Sequence, residues 1–255
     1  MTEIAALADL ARMAEAWVFP AALVFLRVGA VMALLPALGE ASVPARVRLV
    51  LALAFTAAVF PAVAPDLPAR PTLTDALAEV VAGLMLGMAL RLMVMALQMA
   101  GTIAAQSASL AQMFATAGAD PQPAIGTLFT VAALALAVQM GLHVQAALLI
   151  VESYRLLPAG TLPDGAVAAD LGIAQVARAF GLAFSLSAPF VVAGMVWNLG
   201  LGVMNRAMPH LMVSFIAAPA LSLGVLALLA LAAPYLLSVW QGAMRAALAA
   251  PLSVP

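Results

Sequence analysis

The residues that most often do chemistry in proteins are scarce in this sequence and form no catalytic pattern. Cysteine is absent, the only imidazoles are His143 and His210, and there is no H-E-x-x-H motif, phosphate-binding loop or dinucleotide fingerprint. Serines are numerous enough for a Ser–His pair, but none lies in a G-x-S-x-G nucleophile motif. Every aspartate falls in a terminal or loop segment, which disfavours an intramembrane aspartyl protease. We therefore predict that the protein is not an enzyme and has no metal site and no cofactor.

The composition predicts a membrane protein. Of the 255 residues 66% are apolar and 8% are charged, with a mean hydropathy of +1.16 and a net charge of −1. Soluble domains are about half apolar and about a quarter charged, so these few charges could not cover the surface of a globule. The nearly neutral balance also gives no basic face for nucleic acid.

Six long apolar stretches predict helices that cross a membrane, each near or above the ~20 residues that span a hydrocarbon core of about 30 Å. Their limits are 17–35, 47–64, 76–97, 124–151, 173–197 and 211–239. A seventh stretch, 99–119, is weaker because it is rich in small and polar residues. The gaps are too short for a soluble domain, so we predict one all-α, polytopic membrane-type domain over residues 1–255.

Two arginines lie inside these stretches, where a charge at the bilayer centre costs about 2.5–3.5 kcal/mol on insertion scales. Arg91 shares its stretch with Glu79, but helical geometry places the two about 18 Å and about 120° apart, so they cannot pair. Arg27 has no acid within its own stretch. The partners of both arginines must therefore come from another segment or another chain.

Prolines inside the apolar stretches predict kinked or broken helical hairpins packed against protein, because each proline frees a backbone carbonyl that lipid cannot satisfy. They are Pro20, Pro61, Pro189, Pro219 and Pro234. His143 lies in the fourth stretch, four residues after Gln139. We expect these two side chains on one helix face, and an interhelical hydrogen bond at His143 rather than a proton relay. The spacing Gly83-x-x-x-Gly87 predicts a close helix contact.

Four local patterns in order then indicate a family. They are PALGEASVPARVRLVLALAFTAAVFPA at 36–62, AGTIAAQSASLAQMFATAGADP at 100–121, GLHVQAALLIVESYRLLPAG at 141–160 and NLGLGVMNRAMPHLMVSFIAAPALSLGVLALL at 198–229. In this order the chain resembles the flagellar FliR family and its type III secretion counterparts, from about residue 17 to about residue 240.

The resemblance implies a structural, pore-forming subunit of the flagellar type III protein export gate, which exports unfolded flagellar subunits. One copy would join FliP-like and FliQ-like subunits in a helical hetero-oligomer in the inner membrane at the flagellar basal body. FlhB-like and FlhA-like components would be further partners. Residues 17–151 would correspond to the FliP-like part and residues 173–240 to a FliQ-like hairpin.

The resemblance also places a pore plug at about residues 107–121, with Gly118 as a hinge and an apolar seal against water. Its residues would be Ser107, Met113, Phe114, Gly118, Asp120 and Pro121. An ordinary flexible loop is the alternative for this segment. Arg27, Arg91, His143 and Arg206 would be structural, with Arg206 bonding carbonyls or an acid at a helix boundary.

Other functions remain open at this point. An injectisome gate subunit would share the same patterns. A self-contained small-solute transporter would also use broken helices and isolated charges, but it predicts an inverted repeat that the two halves of the sequence do not show. A membrane scaffold without a pore is a third possibility.

Overall fold

The computed structural model describes residues 2–68, 71–109, 124–207 and 213–252, and all regular elements within them are helical. The α-helices are α1 (Thr2–Leu34), α2 (Ala45–Val63), α3 (Leu73–Ser109), α4 (Ala124–Gln139), α5 (Leu142–Leu156), α6 (Gly165–Ala207) and α7 (Val213–Ala249), and a 3₁₀ turn (Ala64–Asp66) follows α2. The predicted all-α fold class is confirmed.

The lengths of these helices fit a polytopic membrane protein. Among the described residues, five helices are long and apolar enough to cross a membrane, and α4 with α5 makes a sixth if the two form one span. Helix α3 joins the third predicted stretch to the weaker 99–119 stretch as far as Ser109. Helix α6 contains 43 residues, a length of about 64 Å that is twice the thickness of a hydrocarbon core.

The fourth predicted stretch is not one helix. Gly141 has a left-handed backbone (φ 73°), and the axes of α4 and α5 on either side of it differ by 70°. The expectation that Gln139 and His143 share a helix face is therefore wrong, because α4 ends at Gln139 and α5 begins at Leu142. The helices instead continue through all five interior prolines. A proline removes one backbone hydrogen bond, whereas a left-handed residue ends the right-handed path itself.

The chain forms two compact units that alternate along the sequence. The first contains residues 1–91, 137–175 and 246–255, and the second contains residues 92–136 and 176–245. In the first unit α2 packs against α1 and α5. In the second, the fully buried Trp240 donates its indole N–H to the Met93 carbonyl oxygen at 2.7 Å. The division into FliP-like and FliQ-like parts concerns relationships to other subunits and stays a prediction.

A capping box formed by Thr72 and Asp75 defines the start of α3. The Thr72 hydroxyl accepts a hydrogen bond from the Asp75 backbone N–H at 3.3 Å, and the Asp75 carboxylate accepts one from the Thr72 backbone N–H at 2.6 Å. This reciprocal arrangement satisfies amide groups that the first turn of a helix leaves without partners.

Gly83 and Gly87 bring the backbone of α3 against α1, as the glycine spacing predicts. A Cβ at Gly83 would clash with the Arg27 carbonyl oxygen and lie 2.7 Å from Ala30 Cβ. A Cβ at Gly87 would lie 2.9 Å from Leu34 Cβ. Successive turns of α3 therefore meet successive turns of α1 in the same chain direction.

We expect Gly83→Ala to destabilise the protein by about 1–3 kcal/mol, the usual cost of overpacking, because the added methyl group must push α1 away from α3. Gly29→Ala, in α1, is the matched control: nothing lies within 4 Å of its Cβ, so it should be neutral or stabilise the helix by up to about 1 kcal/mol. The measurement is the apparent melting temperature of each purified variant in mild detergent. Equal effects of the two substitutions would contradict the close contact.

Candidate functional site

The most distinctive site in the described residues is a fully buried ion pair between α1 and α3. Arg27 and Glu79 both have side chains with 0% exposure. The Arg27 Nε donates to Glu79 Oε2 at 2.7 Å, and Nη2 donates to Oε1 at 3.0 Å. This two-point geometry matches the planar guanidinium to the carboxylate and gives both a strong and a directional contact.

The C-terminal end of α5 adds two hydrogen bonds to the arginine. Arg27 Nη1 donates to the Ser153 hydroxyl at 3.1 Å, and Nη2 also donates to the Leu157 carbonyl oxygen at 2.9 Å. The Tyr154 ring lies under the guanidinium, 3.7 Å from its carbon to the ring centroid. A positive charge at this position also interacts favourably with the negative end of the α5 dipole.

The same end of α5 completes the hydrogen bonding of the carboxylate. The Tyr154 hydroxyl donates to Glu79 Oε2 at 3.0 Å, and the Gly160 backbone N–H donates to Oε1 at 3.1 Å. Gly160 is left-handed (φ 72°), and a Cβ there would lie 2.6 Å from an Asp75 carboxylate oxygen. Both the backbone conformation and the lack of space therefore require glycine at this position.

A second ion pair joins Arg91 of α3 to Glu40 of the α1–α2 loop, with side-chain exposures of 32% and 19%. Gly39 helps to hold this loop against the end of α1: its N–H donates to the Leu35 carbonyl oxygen at 2.7 Å, and a Cβ would lie 2.6 Å from the Met32 carbonyl oxygen. Both arginines thus find partners in other segments of the same chain.

Residues at intervals of four on α3 contact α1 and the α1–α2 loop. The series runs Glu79, Gly83, Gly87, Arg91. An ion pair lies at each end, and the two glycines that let the helices approach lie between them. We name Arg27, Glu79, Ser153, Tyr154, Leu157 and Gly160 the buried network.

The other residues predicted to be functional lie apart from the buried network. His143 is exposed in the first turn of α5, and Arg206 is exposed in the last turn of α6; neither has a hydrogen-bond partner for its side chain among the described residues. Ser107 is buried and donates to the Ala104 carbonyl oxygen at 2.7 Å. The remaining predicted plug residues lie outside the described residues: Met113, Phe114, Gly118, Asp120 and Pro121. The plug therefore stays a prediction.

The buried network is built for structure. Its two charges are fully enclosed, and the carboxylate already accepts four hydrogen bonds from three residues. No cluster of three metal-ligating side chains occurs among the residues that the structure describes. The chemistry that this arrangement supports is the joining of three helices at fixed positions.

Comparison with known proteins places this architecture in a family. The family described as "Bacterial export proteins, family 1" matches residues 18–247. The chain belongs to this family. It is 34% identical over 235 residues to "Flagellar biosynthetic protein FliR" of Caulobacter vibrioides (strain ATCC 19089 / CIP 103742 / CB 15), covering 89% of this chain and 94% of the relative. It is 31% identical over 230 residues to "Flagellar biosynthetic protein FliR" of Escherichia coli (strain K12), covering 82% and 84%.

Family membership confirms the resemblance drawn from the four sequence patterns, and the structure gives two of them a physical role. The pattern at 141–160 supplies Ser153, Tyr154 and Gly160 to the buried network, and the pattern at 36–62 supplies Glu40. Sequence reasoning missed Glu79 as a partner of Arg27. One signal was available in the sequence. Arg27 and Glu79 lie in different apolar stretches and have opposite charges, and neither has a partner within its own stretch.

We expect Arg27→Met or Glu79→Met alone to destabilise the protein by about 3–5 kcal/mol, because each leaves one buried charge without its partner. For a chain of this size that corresponds to a fall of about 6–20 °C in melting temperature. The double variant should be less destabilised than either single variant, because no unpaired charge remains. Melting in mild detergent, followed by size-exclusion chromatography, measures all three.

The exposed pair on α5 provides the control. Arg155 and Glu152 lie 3.3 Å apart with side chains 78% and 62% exposed, and exposed pairs contribute little to stability. Arg155→Met should leave the melting temperature unchanged. A double Arg27/Glu79 variant as unstable as the sum of its single variants would show that the two charges do not depend on each other.

Proposed function

We propose that this chain is a channel-wall subunit of the flagellar type III protein export gate. Its family and its two FliR relatives support a role in a flagellar export apparatus. The buried network supports a structural role, because it joins helices and leaves no polar group free for a substrate.

The observation that carries the proposal is the length of the exposed apolar surface on α6. Val167, Phe184 and Val203 are 54%, 61% and 69% exposed, and helical geometry separates the first from the last by about 54 Å. Even a tilt of about 40° would leave about 41 Å along the membrane normal, against a hydrocarbon core of about 30 Å. This span is longer than the hydrocarbon core, which supports neighbouring protein along part of the helix.

The proposed neighbours are FliP-like and FliQ-like subunits, with one copy of this chain in each complex. FlhB-like and FlhA-like components would dock on the assembled gate, and unfolded flagellar proteins would pass through it. The proposed location is the inner membrane at the flagellar basal body. The five apolar helices of membrane-spanning length suit that location.

The proposed plug begins in the last residues of α3, which ends at Ser109. Residues 107–121 would close the conduit, with Met113 and Phe114 providing an apolar constriction that excludes water. Gly194 of α6 packs on the start of this segment: a Cβ there would lie 2.9 Å from the Ser107 carbonyl oxygen. This contact would hold the base of the plug while the residues beyond it move.

Co-expression with the FliP-like and FliQ-like proteins of the same organism tests the assignment. We expect one stable complex in mild detergent, because neighbouring subunits would cover the apolar face of α6. Its intact mass should contain a single copy of this chain. The chain purified alone in mild detergent should bind excess detergent over this apolar face. A well-behaved monomer or symmetric homo-oligomer that transports a small solute would contradict the proposal.

Deletion of residues 110–118 tests the plug. We expect the complex to assemble with unchanged mass and the membrane to become permeable to small ions, because the closure is lost while the wall remains. Ion flux into vesicles containing the purified complex measures the leak, and the wild-type complex is the control. A deleted complex that assembles, exports and stays tight would show that this segment is an ordinary loop.

A further inference from the structure

An open apolar cavity of about 440 Å³ lies on α6, within the second unit of the chain. Its volume is within the range of pockets that hold small organic groups. Six residues line it: Ala193, Val196, Trp197, Gly200, Leu201 and Met204. Helical geometry places the last four of them within an arc of about 100° around α6. The cavity therefore receives its occupant from one side of the helix.

One residue of the cavity wall has a polar group without a partner. The Trp197 indole nitrogen is buried, and no described residue accepts its hydrogen. Buried indole N–H groups usually have an acceptor, as Trp240 has in the Met93 carbonyl oxygen. A lipid acyl chain could fill an apolar cavity but has no acceptor along its length. A polypeptide provides both apolar side chains and carbonyl oxygens, so it suits the cavity better.

The C-terminal end of α3 lies beside this cavity. A Cβ at Gly194 of α6 would lie 2.9 Å from the Ser107 carbonyl oxygen, so the two helices touch there. Leu201, in the cavity wall, follows Gly194 by seven residues. It therefore lies on nearly the same face of α6, about 10 Å further along the helix.

Helix α3 runs in the same direction as α6. Five residues join α6 to α7, and a connection of this length makes two helices antiparallel neighbours. Trp240, 27 residues into α7, is then level with about residue 180 of α6. Its partner Met93 precedes Ser107 by 14 residues, and residue 180 precedes Gly194 by the same number. The chain that leaves α3 therefore heads toward the cavity.

The segment that follows α3 has a suitable composition and length. Residues 110–114 read LAQMF, with one polar residue among five. Phe114 is five residues beyond the end of α3 at Ser109, a reach of up to about 17 Å. The most distant residue of the cavity wall, Met204, lies about 15 Å beyond Gly194 along α6. The apolar side chains of this segment can therefore reach the cavity.

The far end of the segment is also held beside α3. A Cβ at Gly101 of α3 would lie 2.7 Å from the Gly126 Cα of α4, so the chain is back against α3 soon after residue 123. The segment 208–212 is also close to the cavity along the sequence. Its five residues must already connect α6 to α7, which leaves little length to enter the cavity.

We propose that the cavity on α6 binds residues 110–114 of the same chain. The Met113 and Phe114 side chains occupy the cavity, and a backbone carbonyl oxygen of the segment accepts a hydrogen bond from the Trp197 indole. The inference goes beyond the proposed function, because it concerns where the segment binds and holds whether or not the segment closes a conduit.

The sequence contains no cysteine, so disulfide cross-linking tests the proposal directly. Phe114→Cys with Gly200→Cys should form an intramolecular disulfide in most molecules after mild oxidation, because a disulfide requires the two Cα atoms within about 7 Å. Phe114→Cys with Gly202→Cys is the matched control. Neither glycine has an atom within 4 Å of an added Cβ, but residue 202 lies about 160° away from residue 200 around α6.

Mass spectrometry of the linked peptides measures both pairs, in membranes that contain the full chain with and without its co-expressed partners. The single-cysteine variants, checked by size-exclusion chromatography, show that the substitutions leave the fold intact. Equal cross-linking of the two pairs, or no disulfide in either, would overturn the binding site.

A photo-reactive amino acid at position 200 identifies what occupies the cavity. We expect it to cross-link to a peptide that contains residues 110–118 of the same chain. A cross-link to another subunit, to lipid or to residues 208–212 would overturn the proposal. The plug is tested separately: a complex that stays tight without residues 110–118 would contradict the plug, whereas a disulfide between positions 114 and 200 would still support the binding site.

Discussion

The buried Arg27–Glu79 pair is the constraint on which the arrangement of α1, α3 and α5 depends. Removing two charges from water costs several kcal/mol for each ion, and their attraction offsets this cost only when further hydrogen bonds satisfy both groups. Ser153, Tyr154, Leu157 and Gly160 provide those bonds. The end of α5 must therefore lie where α1 and α3 meet. Apolar helices in lipid have little hydrophobic preference for one register over another, so a directional polar contact has a large influence on the register chosen.

The general character of the fold could be predicted from the sequence, whereas the pairing of its charges could not. Hydropathy identifies the apolar spans, and helical geometry excludes a bond between Arg91 and Glu79. The crossed arrangement, Arg27 with Glu79 and Arg91 with Glu40, depends on which helices are neighbours, and no local pattern contains that information. The break at Gly141 was missed for a similar reason. Prolines in an apolar stretch indicate a possible break from the sequence alone, whereas the left-handed conformation of a glycine is seen only in the structure.

Because both arginines pair within the chain, they are not evidence for assembly with another chain. Charges inside apolar stretches require partners, which either the same chain or another chain can supply. Because Glu79 and Glu40 satisfy them within the chain, the arginines explain the stability of the single subunit and say nothing about neighbours. In the proposed assembly, neighbouring subunits would instead cover the long exposed apolar surface of α6.

These two kinds of feature occupy different parts of the chain, and that separation has a consequence for folding. Helix α6 buries one stripe of side chains up to Gly194, whereas its described residues beyond Gly194 are exposed or half-buried through Ala207. The last turns of α6 therefore gain little from packing within the described chain. The α1–α3–α5 contact differs, because its two charges are paired within the chain. In the proposed assembly, such a chain would fold its polar core first and would bury its remaining apolar surface against its partners.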